Sequence, residues 1–265
     1  MTDAPLIPTT SILFMAVSAV ISIGLPILLL IVSMKKFGAK GVPFILGAAV
    51  FIVFSLILEQ GLHSVALKPD GIIRNNAALF VLYGTLAAGV FEETGRFIAF
   101  HFLKRKNYSG VANALSYGAG HGGIEAILLA GLTMISNIVL SVIANLGLTS
   151  VLGSVPQLDE AINTFATVNP ALFLVGGLER IFAITIHISL SVIVWHSVMS
   201  EKVWLFPIAI LLHAAIDVPA ALAQAGVFSN IVIIEVLVAI SAVVLAATAF
   251  AVNRTFSKPE EISEN

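Results

Sequence analysis

Four short motifs hold most of the reactive side chains of this sequence: EETGR at 92–96, HGGIE at 121–125, ERIFAITIH at 179–187 and HAAID at 213–217. All four interrupt apolar stretches. An unpaired charge at the centre of a membrane helix costs roughly 2.5 to 3.5 kcal/mol on insertion scales. Glu92, Glu93, Arg96, Glu125, Glu179, Arg180 and Asp217 are therefore expected to face one another or enclosed water, with His121, His187 and His213 beside them. Imidazoles and carboxylates are ligands for a divalent metal. The chain has no cysteine, so these are its only strong ligands. Zinc with one position open to water fits such a set best. Zinc acidifies water, and a nearby glutamate can take the proton and return it to a leaving amine. The implied reaction class is peptide-bond hydrolysis inside the membrane.

Spacing supports the grouping. His121 and Glu125, like His213 and Asp217, are four apart and project from one helix face, as two metal ligands or as a ligand and the carboxylate that orients it. Glu92 and Arg96 are also four apart and are expected to neutralise each other, with Glu93 turned about 100° away and free. Arg180 and His187 share a face, and Arg180 is expected to find an acidic partner on a neighbouring helix. Either arginine could steady the carboxylates or a developing oxyanion. Helix rise puts Glu92, His121, His187 and His213 roughly 15 to 18 Å from the expected cytoplasmic ends of four different helices. They share one level, with Asp217 and Glu125 a turn further out and Arg96 a turn further in.

The elements that must position them are membrane spans. Of the 265 residues, 58% are hydrophobic and 11% charged, and the mean hydropathy is +1.05. A soluble domain is excluded, and an all-α, polytopic transmembrane helix bundle is expected. Apolar stretches at about 11–34, 42–62, 77–103, 110–147, 170–199, 203–223 and 229–252 give seven spans. Eight result if the long fourth stretch breaks near its glycines. The N-terminus lacks the basic region of a cleavable signal, so the first stretch reads as a retained helix. With the N-terminus outside, the inner segments carry Lys35, Lys36, Lys40, Lys104, Arg105, Lys106, Lys202, Arg254 and Lys258, against Lys68 and Arg74 outside. That bias favours N-out, C-in. Residues 1–252 read as one transmembrane domain and 253–265 as a polar cytoplasmic tail. Segment 148–169 reads as a short amphipathic helix on the outer leaflet and a candidate lid. Net charge is −2 with no long basic run, so a nucleic-acid partner is not expected.

Plainer readings exist for each feature. A single membrane histidine commonly hydrogen-bonds a neighbouring helix; the shared depth of three favours metal. His63, His101 and His196 lie near helix ends, where interfacial placement explains them. Glu59 and Glu235 read as packing or interfacial residues. Gly118, Gly120, Gly122 and Gly123 around His121 serve close helix packing, and can also open the backbone to water and substrate.

The order EETGR, YGAGHGGIEA, ERIFAITIH, HAAID resembles the YhfC-like family of bacterial intramembrane metalloproteases. That family is itself similar to the PrsW-type and CAAX-prenyl-protease and bacteriocin-processing proteases. The likeness covers about residues 80–220. It implies a multi-pass plasma-membrane endopeptidase acting on membrane-associated or prenylated polypeptides. Glu92 and Glu93 match the double glutamate, Arg96 its trailing basic residue, and His213 and Asp217 the late motif. Either His121 or Glu125 fills the middle motif after Tyr117. His187, following Glu179 and Arg180, matches an extra histidine of the PrsW-like branch and of the gamma-secretase scaffold subunit. That scaffold is not the proteolytic subunit. A non-catalytic scaffold or immunity-type protein therefore stands as a competitor, and an ion-coupled transporter as another. Either Glu92 or Glu93 is the expected general base; His121, Glu125, His187, His213 and Asp217 are the ligand candidates, supported by Glu179 and Arg180.

Overall fold

The computed structural model describes residues 6–149 and 155–257, and among them there is no strand. Seven helices are long and apolar enough to span a bilayer: α1 (Thr9–Phe37), α2 (Gly41–Ala66), α4 (Ala77–Arg105), α5 (Ala112–Asn145), α7 (Ala171–Met199), α8 (Leu205–Gln224) and α9 (Ile231–Phe256). Two shorter helices join them, α3 (Ile72–Asn75) and α6 (Pro156–Thr167). This is a multi-pass membrane protein. Asn76 and Asn230 open α4 and α9 by accepting the backbone N–H groups of Leu79 and Ile233.

The fourth apolar stretch is one continuous helix, so the count is seven. Its extra length is taken up by a π-helical turn at Ala126–Gly131, directly after the glycine-rich motif, and α2 carries another at Ile52–Glu59. The expected tail begins later than residue 253, because α9 continues to Phe256; residues 258–265 lie outside the described residues.

Residue contacts divide the chain into two compact units, each assembled from two separate stretches of sequence. The first comprises Met1–Leu28 and Gly123–Ile181. Within it, α1 is approached closely at glycines: a Cβ on Gly123 would lie 2.7 Å from the ring Cβ of Pro26, and one on Gly177 would lie 2.6 Å from the Cα of Ser18. Helix α6 takes up much of segment 148–169, and Pro156 sits in its first turn. Its apolar face is not laid on lipid, since Ile162 and Phe165 are buried with Ile7, Met15 and Ala144. Residues 150–154 of the candidate lid lie outside the described residues.

The second unit comprises Leu29–Gly122 and Phe182–Asn265. Its core is aromatic: Phe100 meets Tyr117 and Trp195 edge-on, with ring centroids 4.7 and 5.2 Å apart. Lipid tails are as apolar as these side chains, so contact quality rather than water exclusion holds such helices together. Small residues provide it. A Cβ on Gly118 would come 2.5 Å from the Cα of Ile188, and one on Gly89 would come 2.7 Å from the carbonyl oxygen of Ile210. These approaches bring α5 against α7 and α4 against α8, the four helices that carry the histidines and the double glutamate.

Candidate metal centre

Within the second unit, α4 supplies Glu92, Glu93 and Arg96, α5 supplies His121, α7 supplies His187, and α8 supplies His213 and Asp217. Three imidazoles converge on one carboxylate oxygen. Oε2 of Glu92 lies 2.9 Å from His121 Nε2, 3.7 Å from His187 Nδ1 and 3.9 Å from His213 Nε2. Ring centroids are 4.9 Å apart for His121 and His187, and 5.8 Å for His187 and His213. All four residues are buried, none more than 7% exposed.

The second glutamate holds this arrangement in place. Both carboxylate oxygens of Glu93 accept from Arg96 Nη1, at 2.5 and 2.6 Å, and Oε1 also contacts His213 Nδ1 at 2.7 Å. With that nitrogen engaged, His213 directs Nε2 toward Glu92 and toward Asp217 Oδ2, 3.5 Å away. The arrangement matches the carboxylate–histidine pairing that orients metal-binding imidazoles. Arg96 Nη2 reaches to 3.3 Å of His187 Nδ1. Gly122 leaves room for this histidine, because a Cβ there would be 2.9 Å from His187 Cδ2. Phe51 of α2 closes over His121 edge-on, with centroids 5.3 Å apart.

The expected pairing of the glutamates is therefore reversed. Arg96 neutralises Glu93, three residues away, and Glu92 faces the histidines. Both spacings put a carboxylate beside the guanidinium on a helix surface. His213 of α8 selects Glu93, and that contact is invisible in the spacing of α4 alone.

The donor set fits a divalent cation. Glu92, His121 and His187 each offer a ligand atom, and these atoms lie within 4.8 Å of one another. With the imidazoles counted as neutral, Glu92, Glu93 and Asp217 face one guanidinium, an excess of two negative charges, and both glutamates are buried. Such an excess is costly unless it is compensated. Nδ1 of His121 is fully buried and finds no hydrogen-bond partner among the described residues, which is uncommon for a buried imidazole.

The model of the YhfC intramembrane metalloprotease family matches residues 21–238. The chain belongs to this family. It is also 36% identical to the uncharacterized membrane protein YhfC of Bacillus subtilis (strain 168), over 88% of this chain and 92% of that one. No solved structure matches. In this YhfC-family chain, all four motifs lie inside the matched region, and the imidazole cluster is built from them.

The other expected site residues lie in the first unit. Arg180 Nη1 donates to Glu125 Oε1 at 2.9 Å, and its Nε donates to Glu179 Oε2 at 2.8 Å. Arg180 thus finds its acidic partner on a neighbouring helix, and that partner is Glu125, the alternative middle-motif residue. Asp217 stands at the open edge of the imidazole cluster, its side chain 37% exposed. Two residues outside the expected site prove to be enclosed. His196 is 3% exposed and joins Ser200 to Asn253 of α9, both at 3.0 Å. Glu59, expected to be a packing or interfacial residue, is 6% exposed and lies within electrostatic range of Glu92, His213 and Asp217. The four-residue spacing of Glu59 to His63 is the sequence signal for this pair.

Proposed function

We propose that this chain is a zinc-dependent intramembrane endopeptidase acting on membrane-embedded or membrane-associated polypeptides. One observation carries the reading: three buried imidazoles from three helices surround a single carboxylate oxygen on a fourth. His121, His187 and His213 would hold the metal. Zinc suits them because imidazole nitrogen and carboxylate oxygen are ligands it accepts without redox chemistry. Bound there, it supplies Lewis acidity toward water and toward a peptide carbonyl.

The chain's own residues do the rest. Glu92 is the general base. Its neighbour cannot serve, since both oxygens of Glu93 are engaged by Arg96 and one also by His213. Glu92 takes a proton from the attacking water and returns it to the amine of the broken peptide bond. Glu93 fixes the His213 ring, and Arg96 balances Glu93. Burial of the centre excludes bulk water and strengthens every electrostatic contact within it.

The test is metal analysis of the purified protein together with a cleavage assay on reporter membrane peptides. The native chain is expected to bind one zinc and cleave. Glu92→Gln is expected to keep zinc and lose cleavage, and His213→Ala to lose both. Loss of zinc from Glu92→Gln would reassign Glu92 as a ligand. Undiminished cleavage in both variants would remove the proposal.

A further inference from the structure

One stripe of α2 leads away from the centre in steps of four residues: Phe51, Ser55, Glu59 and His63. Phe51 touches the His121 ring. One step on, Ser55 is 6% exposed, and its hydroxyl has no hydrogen-bond partner among the described residues. Glu59 follows, as buried as Ser55 and within electrostatic range of Glu92, His213 and Asp217. Its Oε1 is 3.4 Å from His63 Nε2, and His63 Nδ1 is 2.8 Å from the Tyr83 hydroxyl of α4. Side-chain exposure rises from 8% at Glu59 to 21% at His63, and Tyr83 is half-buried. Polar atoms thus recur from the imidazole cluster to the surface of the second unit.

Packing alone gives no reason for this row. A buried hydroxyl without a partner costs about 1 to 3 kcal/mol, and a buried carboxylate more. Ser55 and Glu59 belong to the π-helical turn Ile52–Glu59, a local distortion that is frequent at functional sites. Buried water typically occupies sites where two to four polar groups lack other partners. Acyl chains around the helices supply none, and hydrolysis consumes one water for each bond broken.

We infer that Ser55, Glu59, His63 and Tyr83 line a hydrated passage through which water reaches the imidazole cluster, with Glu59 as the positioning residue that keeps it wet. The need for water rests on the hydrolytic reading above, but the passage can be tested without metal or substrate.

The chain has no native cysteine, so single thiols report without background. Ser55→Cys exchanges one atom in the passage. Val53→Cys, two residues away, replaces a side chain that is 44% exposed on the outer surface of the same helix. Each variant is reconstituted in phosphatidylcholine vesicles and treated with 2-aminoethyl methanethiosulfonate, whose sulfenyl sulfur a hydrated thiolate attacks, forming a mixed disulfide and releasing methanesulfinate. Ser55→Cys is expected to react at least about ten-fold faster than Val53→Cys, although it is the more buried position, because thiolates form only where water solvates them. Adding Glu59→Leu is expected to abolish that advantage, and Glu59→Gln, which keeps a polar side chain, to retain it. Fast labelling with Glu59→Gln also shows that the fold tolerates change at this position.

Equal rates for Ser55→Cys and Val53→Cys overturn the passage. A fast rate unaffected by Glu59→Leu overturns the role of Glu59. Labelling that behaves as expected in a chain without cleavage activity would leave the passage standing and count against the proteolytic reading alone.

Discussion

The chain places an arginine among carboxylates twice within apolar helices, with different results. In the first unit, Arg180 lies between Glu125 and Glu179 and pairs with both. One charge is left over, and the three side chains are 14 to 23% exposed. In the second unit, Arg96 is committed to Glu93, while Glu92 and Asp217 contact imidazoles instead. Two charges are left over, and the glutamates and Arg96 are buried. The first arrangement is what an intramembrane ion cluster needs to exist at all. The second carries more negative charge than its own cation balances and surrounds it with neutral-capable nitrogen donors, as a divalent metal requires. An arginine beside glutamates is thus an uninformative motif by itself; imidazoles and a charge excess distinguish the two.

The largest effect that follows from this difference is on chemistry. Glu92→Gln is expected to lower cleavage by about 10² to 10⁴-fold, the range for loss of a general base, with zinc retained. Glu93→Gln, one residue along, should behave differently. It leaves Arg96 without its anion and His213 without its orienting carboxylate, so metal affinity is expected to fall about 10 to 100-fold. Cobalt titration followed by visible absorption measures this directly. Equal responses of the two variants in both assays would erase the division of labour between the glutamates.

Much of this was legible in the sequence, and the failures have a common cause. Hydropathy placed α4 at 77–103 and α7 at 170–199, where the helices run Ala77–Arg105 and Ala171–Met199. Span boundaries follow composition because lipid rewards apolar length and little else. Depth along each helix also brought Glu92, His121, His187 and His213 to one level, and the structure brings them into contact. Rotation about each helix was harder to read. Whether Arg96 turns to Glu92 or Glu93, and whether Glu125 joins His121 or Arg180, depends on a partner from another helix. Periodicity within one segment does not contain that information. His196 shows the same limit: it sits near a helix end by sequence and is enclosed by neighbours that only tertiary packing supplies, whereas the Glu59–His63 pair is legible as a four-residue spacing on one helix.

Helix approach offers a smaller test of the second unit. Gly118→Ala places a methyl 2.5 Å from the Cα of Ile188 and 2.8 Å from the Ser191 hydroxyl. Backbone cannot give way as a flexible side chain can, so destabilisation of about 1 to 3 kcal/mol is expected from overpacking. The measurement is the thermal midpoint in detergent. Gly84→Ala on α4, where a Cβ would meet nothing within 4 Å, is the control and should leave the midpoint unchanged or raise it. A Gly118→Ala midpoint equal to that of the native chain would mean that the α5–α7 approach is looser than its geometry indicates.

The smallest expected effect lies in the first unit and decides whether the two clusters differ in kind. Arg180→Gln leaves Glu125 and Glu179 without their cation, and Glu125→Gln leaves Arg180 with Glu179 alone. The second change removes the surplus negative charge, so it should be the milder of the two. A double-mutant cycle isolates the Arg180–Glu125 term, and polar contacts between membrane helices typically couple by about 0.6 kcal/mol. Neither variant is expected to change the cobalt titration, because Glu125 already accepts from Arg180 and the imidazole cluster draws its carboxylates from α4 and α8. A loss of metal affinity in Glu125→Gln comparable to that in Glu93→Gln would make Glu125 a ligand after all. The Arg180 pair would then be a resting contact that the metal displaces.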